Sequence, residues 1–166
     1  FDTVANGADD AFVAELDSAG AFVYAGYLGG YNIDVGEDIA LDSQGRALVT
    51  GHTASANFPL SVLALNGAVD AFVARIDAAG AVIDWTTLLG GTGSDYGFGI
   101  VASGNQSYVT GMATDGFPTT VGAFQTVFGG GAADAFVARI GGGGAILSST
   151  YVGGTSDEGG NAIALG

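Results

Sequence analysis

Apolar and polar side chains alternate along short stretches of this chain, and glycine interrupts each stretch before it grows long. Phe12, Ala14 and Leu16 fall on one side of an extended segment, with Val13 and Glu15 on the other, which is the period-two signature of a β-strand. The block Asp10-Ala11-Phe12-Val13-Ala14 returns as Asp70-Ala71-Phe72-Val73-Ala74 and as Asp134-Ala135-Phe136-Val137-Ala138, at steps of 60 and 64 residues. Steps so nearly constant mark whole modules that recur.

Within the first cycle the pattern predicts strands over Asp10 to Asp17 and Ala21 to Leu28, joined by the turn Ser18-Ala19-Gly20. After Gly29-Gly30 and a loop, further strands are expected through Ile39 to Leu41 and over Arg46 to His52. The second cycle repeats the order with Asp70 to Asp77, Val82 to Leu89, Gly99 to Ala102 and Tyr108 to Met112. Its stretch from Gly80 to Gly90 is one residue longer than Gly20 to Gly29, which a β-bulge could absorb. The third cycle supplies Asp134 to Ile140, Ala145 to Val152 and Asn161 to Leu165. That makes about eleven strands with no helix-period patterning: an all-β chain of four-stranded antiparallel units. Approximate units are 1–30 (partial), 31–91, 92–154 and 155–166 (partial).

Two segments break the rhythm, Asn57 to Val69 and Gly116 to Ala133. Both carry Phe-Pro near their start and both are rich in apolar residues, including Leu60, Val62 and Leu63 in one and Val121, Phe124 and Val127 in the other. Loops of this length usually have a task. Either they fold over the sheet edges as part of the core, or they present an apolar contact to another subunit.

Composition narrows the functional classes. Hydrophobic residues make up 48% of the 166, which argues for a packed core in spite of 31 glycines. The net charge is −14, with Arg46, Arg75 and Arg139 as the only basic side chains apart from His52. Such a surface repels nucleic acid and anionic bilayers, so neither is an expected partner, and no apolar run approaches the ~20 residues of a membrane helix. With no cysteine there is no disulfide and no thiolate metal site. The chain opens at Phe1 without Met, as a processed form or a piece of something longer does.

The motifs Glu37 to Gly45, Val49 to Thr53, Phe58-Pro59, Asp70 to Asp77 and Leu89 to Gly91, in this cyclic order, resemble the bacterial beta-propeller repeat known as SBBP. The strand order is also similar to that of an NHL-type propeller blade. The resemblance implies inner strands at Ile39 to Leu41 and Ile100 to Ala102, and outermost strands at Ala21 to Leu28 and Val82 to Leu89. It implies an incomplete or open propeller, since closed rings use about four to eight blades. It further implies a secreted or surface protein of bacteria, with no activity attached to the repeat itself.

Chemical constellations are few. His52 is the only histidine and its counterpart one repeat later is Met112, so packing explains it better than catalysis. No glycine-rich stretch precedes a helix and a lysine, so a phosphate loop is not expected. Asp34, Asp95 and Asp157, each in an Asp-x-Gly after the double glycine, are candidate calcium ligands. The alternative is that each aspartate bonds its own turn backbone. Asn105 heads an Asn-Gln-Ser glycosylation acceptor in an inter-strand turn. Tyr24, Tyr27, Trp85 and Tyr151 fall on outer strands, for packing, for assembly or as a carbohydrate platform.

These observations lead to a non-enzymatic extracellular or cell-surface structural and interaction module. It is expected to act through self-assembly with other copies, as a fibre or scaffold, or beside further blades of a longer chain. The alternative is a ligand- or glycan-binding propeller. No cofactor is expected, calcium excepted.

Overall fold

A strand with apolar groups on both sides needs a cover on both faces, and the chain meets that need by stacking sheets. The computed structural model describes residues 2–166. Its described residues hold ten strands and no helix, so none that could cross a membrane. They are β1 (Ala11–Leu16), β2 (Phe22–Leu28), β3 (Asp34–Leu41), β4 (Ala47–Thr53), β5 (Asp70–Ile76), β6 (Ile83–Leu89), β7 (Tyr96–Ser103), β8 (Gln106–Ala113), β9 (Asp134–Ile140) and β10 (Ile146–Val152). Antiparallel pairing gives two four-stranded blades, β3-β4-β5-β6 and β7-β8-β9-β10, preceded by the two-stranded sheet β1-β2. The all-β, open-propeller architecture expected from the repeats is therefore present.

Two cores fill the two junctions between sheets. Ala11, Val13 and Leu28 meet Phe72, Ala74, Ile76 and Leu88, while Ala71, Val73 and Leu89 meet Ile100, Phe136, Ala138 and Ile140. Alternate residues of β5 thus serve opposite junctions, and all but its Arg75 are buried. The sheet β1-β2 corresponds to the outer pair β5-β6 and has no inner strands beside it. Ile39 on β3 is consequently 50% exposed, whereas its counterpart Ile100 on β7, backed by the preceding blade, is 6% exposed. The same contrast separates Phe12, 75% exposed, from Phe72 and Phe136, both at 0%.

The strands differ from the sequence pattern in three places. First, β3 and β7 start at Asp34 and Tyr96, five and three residues earlier than the apolar runs indicate. A register shift at Gly36/Asp38, repeated at Gly97/Gly99, reverses the alternation and hides the first half of each strand. Second, a bulge is common to all three outer hairpins, skipping Val23, Asp84 and Leu147. The extra residue of the second cycle therefore lies in the turn between Ile76 and Ile83 and not in the bulge. Third, Asn161 to Leu165 is not a strand. Gly160 donates its backbone N–H to the Gly111 carbonyl at 2.9 Å and Ala162 lies against Gly99, so the segment follows β7 and β8 as β7 follows β3 and β4. Among the described residues no strand pairs with it, and it is irregular.

The two long loops fold over the sheet edges and contribute to the core. Phe58 and Phe117 of the Phe-Pro pairs are buried on Phe72 and Phe136, with ring centroids 4.6 and 4.5 Å apart. Beyond them, Leu60 to Val62 bonds to Thr86 at the outer edge of β6, and Thr120 and Gln125 bond to Ser149 and Tyr151 on β10. Asp2 covers β2 the same way through Tyr27. Outer edges that would otherwise template strand addition are thereby partly occupied. Val121, Phe124 and Val127 remain exposed.

Equal residues in unequal surroundings give a direct test of this packing. Phe72→Ala and Phe136→Ala are each expected to cost about 3–5 kcal/mol in denaturant unfolding of the single chain at high dilution, and Phe12→Ala no more than about 0.5 kcal/mol.

Candidate functional site at the double-glycine loops

The repeated aspartates meet at the double glycines. Asp10 immediately precedes β1 and Asp70 and Asp134 open β5 and β9; the three set their Oδ1 atoms against Gly29, Gly90 and Gly153, where any Cβ would overlap the carboxylate. Their Oδ2 atoms accept backbone N–H groups of Asn6, Asn66 and Gly129. Their Oδ1 atoms are buried and no donor among the described residues reaches them. An orphaned buried carboxylate oxygen is unfavourable, and it recurs here three times.

A second acid stands beside each of these. Asp34 is buried, with Oδ2 accepting from the Gly30 N–H at 2.7 Å and the Ser55 hydroxyl at 2.8 Å, and Oδ1 bonded to the Thr53 hydroxyl. Asp95 is likewise buried and accepts from the Gly91 N–H at 2.8 Å and the Thr114 N–H at 2.7 Å. In the third repeat the equivalent residue is Glu158, which accepts from the Gly154 N–H at 2.7 Å. Backbone bonds agree: the N–H groups of Asp34, Asp95 and Glu158 donate to the carbonyls of Asp9, Val69 and Ala133.

Asp157 therefore does not share the position of Asp34 and Asp95. It is exposed and accepts instead from the Ala132 N–H. The mismatch arises because Asp-x-Gly fixes a position by its final glycine, whereas the fold counts from the double glycine. Four residues after Gly30, Gly91 and Gly154 come Asp34, Asp95 and Glu158. Counted that way, Gly36, Gly97 and Gly160 are equivalent, and the last two lie directly on the hydroxyls of Thr50 and Thr110 of the preceding blade. Those hydroxyls donate to the Phe72 and Phe136 carbonyls at 2.8 and 2.7 Å.

Three candidate calcium ligands in three separate loops do not converge, and no group of three acidic or imidazole side chains gathers among the described residues. The oxygens of Asp34 and Asp95 are taken up by turn N–H groups and hydroxyls, the arrangement of an aspartate that closes its own loop. His52 packs edge-on against Tyr96, centroids 4.7 Å apart at 64°, with Nδ1 3.6 Å from Glu37. Burial lowers its pKa against the pull of Glu37 and Asp34. Asn105 is exposed in a two-residue hairpin turn whose Gly104 has φ 61°. Trp85 and Tyr24 lie against the turn glycines Gly144 and Gly80 of the following blade, and Trp85 Nε1 donates to the Gly142 carbonyl at 3.1 Å.

Burial pushes the Asp70 carboxyl up to about 6, against the Asn66 N–H bond that lowers it, and the charge of Asp95 adds to the rise. Burial raises Asp95 too, in spite of the Gly91 and Thr114 bonds. What this arrangement does chemically is tie the double-glycine loops together, each carboxylate accepting backbone N–H groups of the turn beside it.

Stacked blades of this kind define a propeller-type module. Residues 23–59, from β2 through the first complete double-glycine loop to the Phe-Pro pair, match the SBBP family model, described as a beta-propeller repeat. No curated protein matches the chain.

Two outcomes follow from the buried acids. A folded pKa above the unfolded value stabilises below the unfolded value and loses that contribution as pH rises through the folded one. Asp70 should thus make the melting temperature fall between about pH 4 and pH 6, and Asp70→Asn should flatten that slope in thermal melts. Asp42 works in the opposite sense and lower down: burial raises it, but Arg46 at 2.7 Å brings it below the usual range, so its contribution is lost under acid conditions. Millimolar calcium is expected to leave the melting temperature unchanged, whereas a rise of several degrees would place an ion among these carboxylates.

Proposed function

We propose that this chain is a non-enzymatic, extracellular structural module whose work is to stack on other copies of itself. The observation that carries this reading is the contrast between Phe12, 75% exposed, and its buried equivalents Phe72 and Phe136. In both internal junctions, the face bearing the phenylalanine or its neighbours is covered by the opposite face of the preceding sheet. The sheet β1-β2 presents that face uncovered, with Phe12, Leu16 and Phe22. At the other end, Val137, Leu147 and Val152 of β9 and β10 form the complementary opposite face, also exposed. A contact between these two ends repeats the internal junction from one copy to the next. Because the two surfaces differ, the contact is heterologous and builds rings or filaments.

The acidic coat is consistent with a secreted protein that must stay dispersed until its faces meet. The lone histidine, tied to packing with Tyr96, gives catalysis little to work with. Nucleic acid and membrane surfaces fit poorly with a charge of −14.

Sedimentation of the purified chain tests the reading. Mass is expected to grow with concentration beyond the 16.2 kDa of one copy. Phe12→Asp combined with Phe22→Asp should weaken association at least about tenfold, since each phenylalanine buried contributes roughly 1.5–3 kcal/mol, while leaving the far-ultraviolet spectrum unchanged. A wild-type chain that remains a single copy at high concentration would overturn it.

A further inference from the structure

A cleft of about 450 Å3 opens between β7 and the segment that follows β10. Tyr96, Phe98 and Met112 form one wall, and Asp157, Glu158 and Asn161 the other. Its existence follows from how the repeats diverge. At the preceding junction the position after the buried acid is Tyr96, whose ring fills the space against His52. One repeat later the same two positions are Gly159 and Met112, and Asn161 replaces Phe98. The ring that closes one junction is thus missing from the next, and the rings of Tyr96 and Phe98 face the space it leaves. They lie 19° from parallel with centroids 6.2 Å apart, and both are only partly buried.

We propose that this cleft is a binding site for a saccharide that carries no anionic group. The nearly parallel rings give the cleft an aromatic lining of the kind that the C–H face of a pyranose packs against. Opposite them, the carboxylates accept hydroxyl protons in charge-assisted bonds, and the Asn161 amide both donates and accepts. Asp157 and Glu158 each commit one oxygen to a backbone N–H, of Ala132 and Gly154, which holds the acceptors in place. Phosphorylated or carboxylated ligands are repelled, because no arginine lines the cleft. A simple ammonium ion would satisfy the carboxylates but leave the amide donors of Asn161 without use. The lining shares no residue with the end-to-end contact, involving neither Phe12 nor Val137.

Gly159 supplies the test, because a Cβ there meets nothing within 4 Å and its φ lies outside the left-handed region. Gly159→Tyr restores the ring found at the other junction and should fold normally. With cellotetraose as the probe, aromatic resonances of Tyr96 and Phe98 are expected to shift saturably in the wild type. Gly159→Tyr should weaken that binding at least tenfold, and the exposed substitution Asn161→Ala should weaken it severalfold, with melting temperatures unchanged for both. Absence of a saturable response to cellotetraose, equal binding by Gly159→Tyr, or saturation by tetramethylammonium chloride alone would each overturn the assignment.

Discussion

The structure depends on one constraint: each sheet is apolar on both faces, so every face that another sheet covers adds to the core and every face left uncovered exposes apolar surface. Phe72 and Val73, adjacent in sequence, point into different cores and are both fully buried. Hydrophobic burial in this protein is therefore a property of junctions and not of single blades, as in other repeat architectures. Three copies of one phenylalanine show it. Phe12, Phe72 and Phe136 have the same neighbours along the chain, and only the presence of an adjoining sheet separates an exposed ring from two that are sealed.

Close approach between blades explains much of the glycine. Gly97 and Gly160 admit the threonine hydroxyls of the blade before, Gly80 and Gly144 accept an aromatic ring, and Gly29, Gly90 and Gly153 accept a carboxylate. In the first two cases the space is taken by a group from the neighbouring blade, and in the third by the carboxylate at the start of the paired strand in the same sheet. The Thr-Gly pair is likewise two halves of one contact: the threonine hydroxyl caps the Phe72 or Phe136 carbonyl, and the glycine beside it lets the inner strand's backbone cross.

Polar groups follow the same logic with opposite cost. The acids at the blade ends organise the double-glycine loops through hydrogen bonds to backbone N–H groups, yet three of their oxygens stay buried without a donor. This unfavourable term coexists with a favourable one, since the same aspartates accept the N–H groups of Asn6, Asn66 and Gly129. The long loops add a further layer by holding the outer strands' edges and planting Phe58 and Phe117 in the cores.

Much of this was legible in the residues alone. The recurrence of Asp-Ala-Phe-Val-Ala and the period-two alternation were enough for an all-β array of four-stranded units, because both depend on local chemistry and on spacing. Where local pattern and ladder disagree, the sequence misleads: the bulges at Gly36/Asp38 and Gly97/Gly99 concealed the first halves of β3 and β7, and Asn161 to Leu165 has a strand's composition but no strand to pair with. Only the folded chain decided that Glu158, and not Asp157, continues the series of Asp34 and Asp95, since equivalence is set by distance from the double glycine through a backbone bond. It also decided which apolar residues are covered and where a cleft opens, because both depend on which side chain the next repeat brings across the junction.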